Sequence, residues 1–152
     1  MSQFVRARSL DRLERRMALA AGSPGVAVSL DLEVYDKRRA AMLLLLQVAA
    51  GATPFANWIP VSEAIGRSKS DKLDFYLKVL YELLRDVMLL HEGTGEIRNV
   101  DIRRELEALA ANIQFAWIRK AVGLVDEVAR LIRRNIQKTI ALDALILELR
   151  AA

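Results

Sequence analysis

The sequence of 152 residues contains no cysteine and a single histidine, His91. Disulfides, thiolate metal sites and cysteine nucleophiles are therefore excluded, and a histidine triad or a three-histidine zinc site would have to rest on His91 alone. The missing cysteines fit a cytoplasmic protein. Most hydrolytic and metal chemistry is disfavoured on this ground, and we expect no bound cofactor and no metal.

Residues that favour β-strands are also few. The chain has three threonines against 24 leucines and 22 alanines, so its apolar content of 53% consists mainly of strong helix formers. This composition predicts an all-α fold with a buried core. The longest uncharged apolar stretch, residues 40–52, is shorter than the roughly 20 residues that a membrane span needs. We therefore expect a soluble protein without a membrane partner.

The helical spacing of the apolar residues, with glycine and proline breaks between segments, predicts a bundle of about seven to eight helices. We expect them at about residues 9–22, 23–30, 32–50, 54–65, 70–91, 101–111, 115–134 and 138–150. Pro60 should kink or divide the fourth of these helices. Ser68 with Asp71, and Asn99 with Asp101, are expected to cap the beginnings of the fifth and sixth helices.

Two of the predicted helices lack a wide polar face. The second half of the helix at 32–50 is apolar around its whole circumference, and the helix at 138–150 carries few charges. Such helices must be enclosed by protein on most sides. Two interpretations stay open: both helices are central in one bundle, or one of them is covered by another chain.

The sequence contains no catalytic or metal-binding motif. It lacks a phosphate-binding loop, a HExxH zinc motif and a GxSxG nucleophile turn. His91 is expected in the last turn of a helix, where the helix dipole favours it. Asp71 and Asp74, like Glu82 and Asp86, share their helix with lysines and arginines. We therefore expect solvated ion pairs at these carboxylates and no catalysis.

Basic residues are concentrated near the beginning of the chain. The net charge is +4, and five arginines face only two acids within residues 1–30. These arginines are Arg6, Arg8, Arg12, Arg15 and Arg16. A solvated helix face explains them, and the alternative is a small basic helical protein that binds nucleic acid through them. Trp58 and Trp117 are expected as core or interface anchors and not as base-stacking platforms.

Three segments together resemble a known family. They are Gly22-Ser23-Pro24-Gly25 followed by Ala27, then Asn99-Val100-Asp101, and finally Arg133-Arg134-Asn135-Ile136 followed by the apolar residues 142–149. In this order and spacing they resemble the C-terminal part of the delta-prime subunits of bacterial DNA polymerase III clamp loaders. The resemblance covers about residues 9–150.

The resemblance implies the end of an AAA+ lid domain at residues 1–30 and a helical collar at residues 31–152. In the family, the collar holds five subunits in a ring while their AAA+ modules load the sliding clamp onto primed DNA. The implied partners are therefore the gamma/tau and delta subunits, whereas the clamp and the primer-template DNA are reached only through the complex. The chain would then be a non-catalytic piece of a longer subunit, although its parent complex contains the clamp-loading ATPase and the DNA polymerase.

One departure from the family concerns nucleotide binding. ATP-binding members place a nucleotide-sensing arginine at the start of the helix that Ser23-Pro24 opens, and this sequence has Gly25 there. A glycine cannot neutralise nucleotide phosphates as a guanidinium does. The resemblance therefore implies a delta-prime subunit that does not hydrolyse ATP, in preference to the ATPase subunit gamma/tau.

The candidate subunit interface lies near the end of the sequence. We expect it on the helix at 138–150 because that helix lacks a polar face, and the family's arginine–asparagine connector precedes it. The residues assigned to the interface are Leu142, Leu145, Ile146 and Leu149, together with Arg134 and Asn135 of the connector.

Overall fold

A computed structural model describes residues 32–69, 71–131 and 137–151. These residues form six α-helices and contain no strand: α1 (Leu32–Ala49), α2 (Ile59–Arg67), α3 (Leu73–Glu92), α4 (Arg103–Asn112), α5 (Phe115–Leu131) and α6 (Lys138–Arg150). The all-α prediction is confirmed. The described residues hold six helices where seven to eight were expected in the whole chain, and the two helices expected before residue 31 lie outside the described residues.

Four of the helices surround the main core. α1 packs against α3 and α6, α5 also packs against α3 and α6, and the four therefore form a closed ring. α4 lies against α3, and α2 lies against α6. The core holds most of the buried leucines of the described chain, and each buried Leu or Ile side chain contributes roughly 1.5–3 kcal/mol to stability.

The apolar half of α1 points its side chains into the core that the four helices surround. Met42, Leu45, Leu46 and Val48 are at most 1% exposed, and their neighbours on the other face are partly buried. The chain itself therefore encloses the first of the two helices that lack a polar face. Gly51 (φ 82°) follows α1 and turns the backbone away from it.

Pro60 divides its segment into two pieces, as predicted. A 3₁₀ turn, Phe55–Asn57, comes first, and α2 then begins with Pro60 as its second residue. A proline is tolerated in the first turn of a helix because the N–H that it lacks has no partner within the helix there. Trp58, between the two pieces, is completely buried and confirms the expectation of a core anchor.

α3 follows its predicted stripe and ends at Gly93, which adopts a left-handed conformation (φ 72°) and donates its N–H to the last carbonyls. Its expected cap is wrong, because Lys72 occupies the N-cap position without a side-chain hydrogen bond. The Asp71 carboxylate instead accepts hydrogen bonds from Arg38 (2.9 Å) and Tyr76 (3.0 Å). Asp71 therefore joins α1 to α3.

The cap expected at Asn99 and Asp101 is also wrong. A 3₁₀ turn, Val100–Ile102, precedes α4, and the Asn99 side chain makes no capping bond to it. Both side chains point back toward α1, as described below. No helix among the described residues is long and apolar enough to cross a membrane.

Candidate subunit interface

The terminal helix α6 is held on three sides by the rest of the chain. It contacts α1, α2 and α5, and it buries one continuous face against them. The buried residues of this face are Ala141, Leu142, Leu145, Ile146 and Leu149. α6 is therefore a structural member of the bundle and not an added arm.

The four apolar residues that the sequence assigned to the subunit interface are buried inside this chain instead. Leu142 and Ile146 are 0% exposed, and Leu145 and Leu149 are 2% exposed, so all four belong to the core of this chain. A partner that docked on α6 would meet its opposite face. Arg134 and Asn135, the two connector candidates, lie outside the described residues, as do Gly25 and the five arginines of residues 1–30.

The outward face of α6 is apolar as well. Ile140 is 59% exposed and Leu147 is 58% exposed, which makes them the two most exposed large hydrophobic residues of the described chain. Ala144 and Ala151 are exposed between and beyond them. Positions 140, 144, 147 and 151 recur at helical spacing, so the four side chains form one stripe along the helix. We call these four residues the outer stripe.

Polar contacts fix how α6 is rotated. The Asp143 carboxylate accepts hydrogen bonds from Trp58 Nε1 (2.6 Å) and Ser62 Oγ (3.0 Å), which hold one edge of the helix against α2. At the beginning of α6, Lys138 Nζ donates to the backbone oxygens of Ser68 and Asp71, which lie between α2 and α3. Since these bonds set the rotation of α6, the outer stripe faces solvent as a consequence of the core packing.

A small groove lies beside the outer stripe. It has a volume of about 300 Å³ and runs between α2 and α6, lined by Phe55, Trp58, Ile59, Ser62, Glu63, Gly66, Thr139 and Asp143. Ile59, on the α2 wall, is 46% exposed. The groove lining contains no residue of the outer stripe, so Ile59 is a separate exposed apolar side chain on α2.

A second candidate site is a buried cluster of polar side chains between α1, α3 and the loop before α4. The Arg39 guanidinium binds the Asp101 carboxylate through two hydrogen bonds (2.7 and 2.5 Å), and its NH1 also donates to Asn99 Oδ1 (3.2 Å). Tyr35 donates to the Glu82 carboxylate at 2.8 Å. Burial raises the pKa of the Tyr35 phenol, and the negative charge of Glu82 raises it further.

Asp86 completes this cluster from α3. It is 0% exposed, and its carboxylate accepts hydrogen bonds from the backbone N–H of Arg98 (3.0 Å), the backbone N–H of Asn99 (2.9 Å) and Asn99 Nδ2 (2.8 Å). The expectation of solvated ion pairs at Glu82 and Asp86 is therefore wrong. Both oxygens of Asp86 are occupied by protein donors, which gives the cluster a structural role.

Burial and ion pairing act in opposite directions on Arg39. Burial lowers the pKa of its guanidinium, but the hydrogen bond and the charge of Asp101 more than offset this, and the pKa is raised overall. A bidentate arginine–carboxylate pair of this kind fixes the relative position of the two chain segments that carry it. It joins α1 to a turn 62 residues further along the chain.

The remaining candidate side chains from the sequence, His91 and Trp117, belong to neither of these two sites. His91 is exposed in the last turn of α3, as expected, and the described residues contain no group of histidines, aspartates and glutamates that could hold a metal ion. Trp117 is partly buried on α5, far along the chain from the buried Trp58. Among the described residues, the polar cluster around Arg39 and Asp86 therefore has a structural role, and the outer stripe of α6 is exposed apolar surface.

Comparison of the chain with protein-family models, with curated proteins and with solved structures finds no match.

Proposed function

We propose that the chain is a non-catalytic assembly module that binds neighbouring subunits through the outer stripe of α6. The observation that carries the proposal is the position of Ile140 and Leu147. Of the residues that the structure describes, the two most exposed large hydrophobic side chains lie two turns apart on one face of a single helix. Contiguous exposed apolar surface on a folded protein is typical of an interaction site, whereas single exposed residues are common and need no partner.

The resemblance stated above supplies the identity of the partners. We infer that residues 31–152 act as the collar of a clamp-loader delta-prime subunit, with residues 1–30 as the end of its lid domain, in a cytoplasmic replication complex. The gamma/tau and delta subunits would then pack helices against the outer stripe. This fragment would bind no nucleotide and catalyse no reaction, and it would support clamp loading only through assembly.

The packing of α6 supports an assembly role because it makes the outer stripe rigid. Asp143, Lys138 and the buried leucines hold the helix before any partner arrives. A preorganised surface loses little conformational entropy on binding, so more of the interaction energy appears as affinity.

Size-exclusion mixing with purified gamma/tau and delta subunits tests the proposal. We expect the wild-type chain to co-elute with at least one of them. The variant Ile140→Lys/Leu147→Lys should lose about 100-fold or more in affinity, because two side chains that the partner would bury become charged. Both substitutions are at exposed positions, so the variant should retain its helical circular dichroism.

The matched control is Val100→Lys/Phe115→Lys. These residues are 43% and 42% exposed and lie outside α6, so the control has the same change in charge and hydrophobicity. It should co-elute like the wild-type chain. Absence of co-elution by the wild-type chain, or equal loss in both variants, would contradict the proposal, and measurable ATP binding in calorimetry would contradict its non-catalytic part.

A further inference from the structure

A second groove lies at the end of the bundle, at the place where α1 and α6 end and α5 begins. Its volume is about 570 Å³, within the usual range of ligand sites. Its floor is formed by the buried side chains of Ala49, Ile113 and Leu149, and the partly buried Trp117 forms one wall. None of these residues belongs to the outer stripe.

Two cations stand at the rim of this groove. Lys120 Nζ donates to the backbone oxygen of Glu148 (3.3 Å), and Arg150 NH1 donates to the backbone oxygen of Val48 (3.0 Å). These bonds place both side chains beside the apolar floor. An ammonium has three donors and a guanidinium has five, so each group retains donors for a ligand.

The charge of the groove is not balanced by acids. No carboxylate lines it, and within the described parts of the chain neither Lys120 nor Arg150 forms an ion pair. The groove therefore combines an apolar floor with two cations that form no ion pair with the described residues. A ligand that fits it has a large apolar group next to one or more carboxylates.

We propose that this groove binds an acidic peptide segment of a partner protein, with a Leu, Phe or Trp side chain against Trp117 and flanking carboxylates on Lys120 and Arg150. An extended peptide fits better than a small molecule because the walls are open: Asn112, Gln114 and Ala116 are exposed. The amide side chains of Asn112 and Gln114 offer donors and acceptors for the backbone of a peptide. The groove is separate from the surface proposed for subunit assembly.

An array of immobilised octapeptides tests this proposal with the whole chain. The two central positions carry Leu, Phe or Trp, and the flanking positions carry Asp, Ser or Lys. We expect the chain to bind Asp-flanked peptides at least about ten-fold more tightly than the Lys-flanked peptides with the same central residues. Equal binding to all three flanking types would overturn the assignment.

Charge reversal identifies the groove as the binding site. Lys120→Glu/Arg150→Glu should abolish the preference for Asp-flanked peptides, whereas Arg85→Glu/Arg104→Glu, with the same change in net charge at two exposed positions, should retain it. Because the bond from Arg150 to the Val48 oxygen (3.0 Å) is shorter than the bond from Lys120 to the Glu148 oxygen (3.3 Å), Lys120→Glu alone serves where the double variant does not fold. An unchanged preference in Lys120→Glu would contradict the proposal.

The two tryptophans provide a direct readout in an NMR spectrum of the wild-type chain. The best Asp-flanked peptide should shift the indole N–H signal of Trp117 and leave that of Trp58, which is bonded to Asp143 inside the bundle. A shift of Trp58 alone would place the peptide elsewhere. Sodium octanoate that shifted Trp117 with the affinity of the best peptide would indicate a site for small carboxylates and would also overturn the proposal.

Discussion

Asn99 gives Asp86 two hydrogen bonds at the same carboxylate oxygen, one from its backbone N–H (2.9 Å) and one from its side-chain Nδ2 (2.8 Å). Both residues are 0% exposed. The pair holds the loop that follows α3 against the side of that helix. Because a buried charged acceptor has no water to replace a lost donor, the loss of one of these hydrogen bonds strongly lowers the free energy of unfolding.

The substitution Asp86→Asn should therefore be costly although it preserves the shape of the side chain. The new NH₂ group would face N–H donors and leave at least one of them unpaired. We expect a loss of about 3 kcal/mol in the free energy of unfolding, measured by urea denaturation. Asp74→Asn, at an exposed position of the same helix, should change it by less than about 0.5 kcal/mol. A similar small effect of Asp86→Asn would show that the carboxylate is not essential to the loop.

The close approach of α2 to α6 can be tested at Gly66. A Cβ atom placed on Gly66 would lie 3.0 Å from the Thr139 side-chain methyl, which is closer than ordinary van der Waals contact. Alanine is favoured over glycine in helices by about 1 kcal/mol, so Gly66→Ala alone should be near neutral. In a Thr139→Ser background, which lacks the methyl group, the same change should stabilise the chain.

A double-mutant cycle measures this contact. The coupling between Gly66→Ala and Thr139→Ser should be about 0.5–1 kcal/mol in thermal or urea unfolding. Gly123→Ala is the matched control, because nothing lies within 4 Å of its added Cβ. It should stabilise the chain equally in both backgrounds. Zero coupling at Gly66 would mean that the two helices separate easily at this point.

The stability of the contact between α1 and α3 should depend on pH through Asp71. The hydrogen bond from Arg38 lowers the pKa of this carboxyl below its usual range of about 3.9. Since the pKa is lower in the folded chain than in the unfolded chain, the contribution is present above about pH 4. It is lost as the pH falls through the lowered value and Asp71 becomes protonated.

The variant Arg38→Gln should return the pKa of Asp71 toward its ordinary value, as measured by NMR titration of the carboxyl group. It should also reduce the change in unfolding free energy between pH 6 and pH 3. Arg85→Gln, which removes an exposed arginine from α3, should leave the titration of Asp71 unchanged. An Asp71 titration that is the same in all three proteins would exclude the ion pair as the cause.

The fold class and most helix positions could be predicted because they depend on local patterns. The stripe of α3 continues for five turns, and Gly93 ends it for a reason that is visible in the sequence, since glycine adopts positive φ without strain. Pro60 likewise indicated a division of its segment. In these elements, the residues that decide the structure lie within a few positions of one another.

The direction that α6 faces could not be predicted in the same way. A helix with apolar residues on nearly all sides has no polar face to mark its outside, so Leu145 and Leu147 look alike in the sequence. The structure buries the first and exposes the second. The difference is decided by partners more than 80 residues away, such as the bonds from Trp58 and Ser62 to Asp143.

The buried polar cluster was missed for a related reason. In the sequence, Asn99 and Asp101 indicate a helix cap because such residues commonly precede helices. Their actual partner is Arg39, which lies about 60 residues earlier. The sequence around position 99 offers only two short polar residues, Asn99 and Asp101, and these alone do not distinguish a helix cap from a contact with a distant helix.

The loop between α3 and α4 also has a consequence for hydrogen exchange. It contains no regular secondary structure up to residue 99, yet the amides of Arg98 and Asn99 are bonded to the Asp86 carboxylate and are shielded from water. Exchange of an amide hydrogen requires that its bond opens, and here opening requires the cluster around Asp86 to come apart. These two amides should therefore exchange with deuterium as slowly as the centre of α3. Gly93 and Thr94 donate their N–H groups to the last carbonyls of α3, so fast exchange is expected at residues 95 and 96.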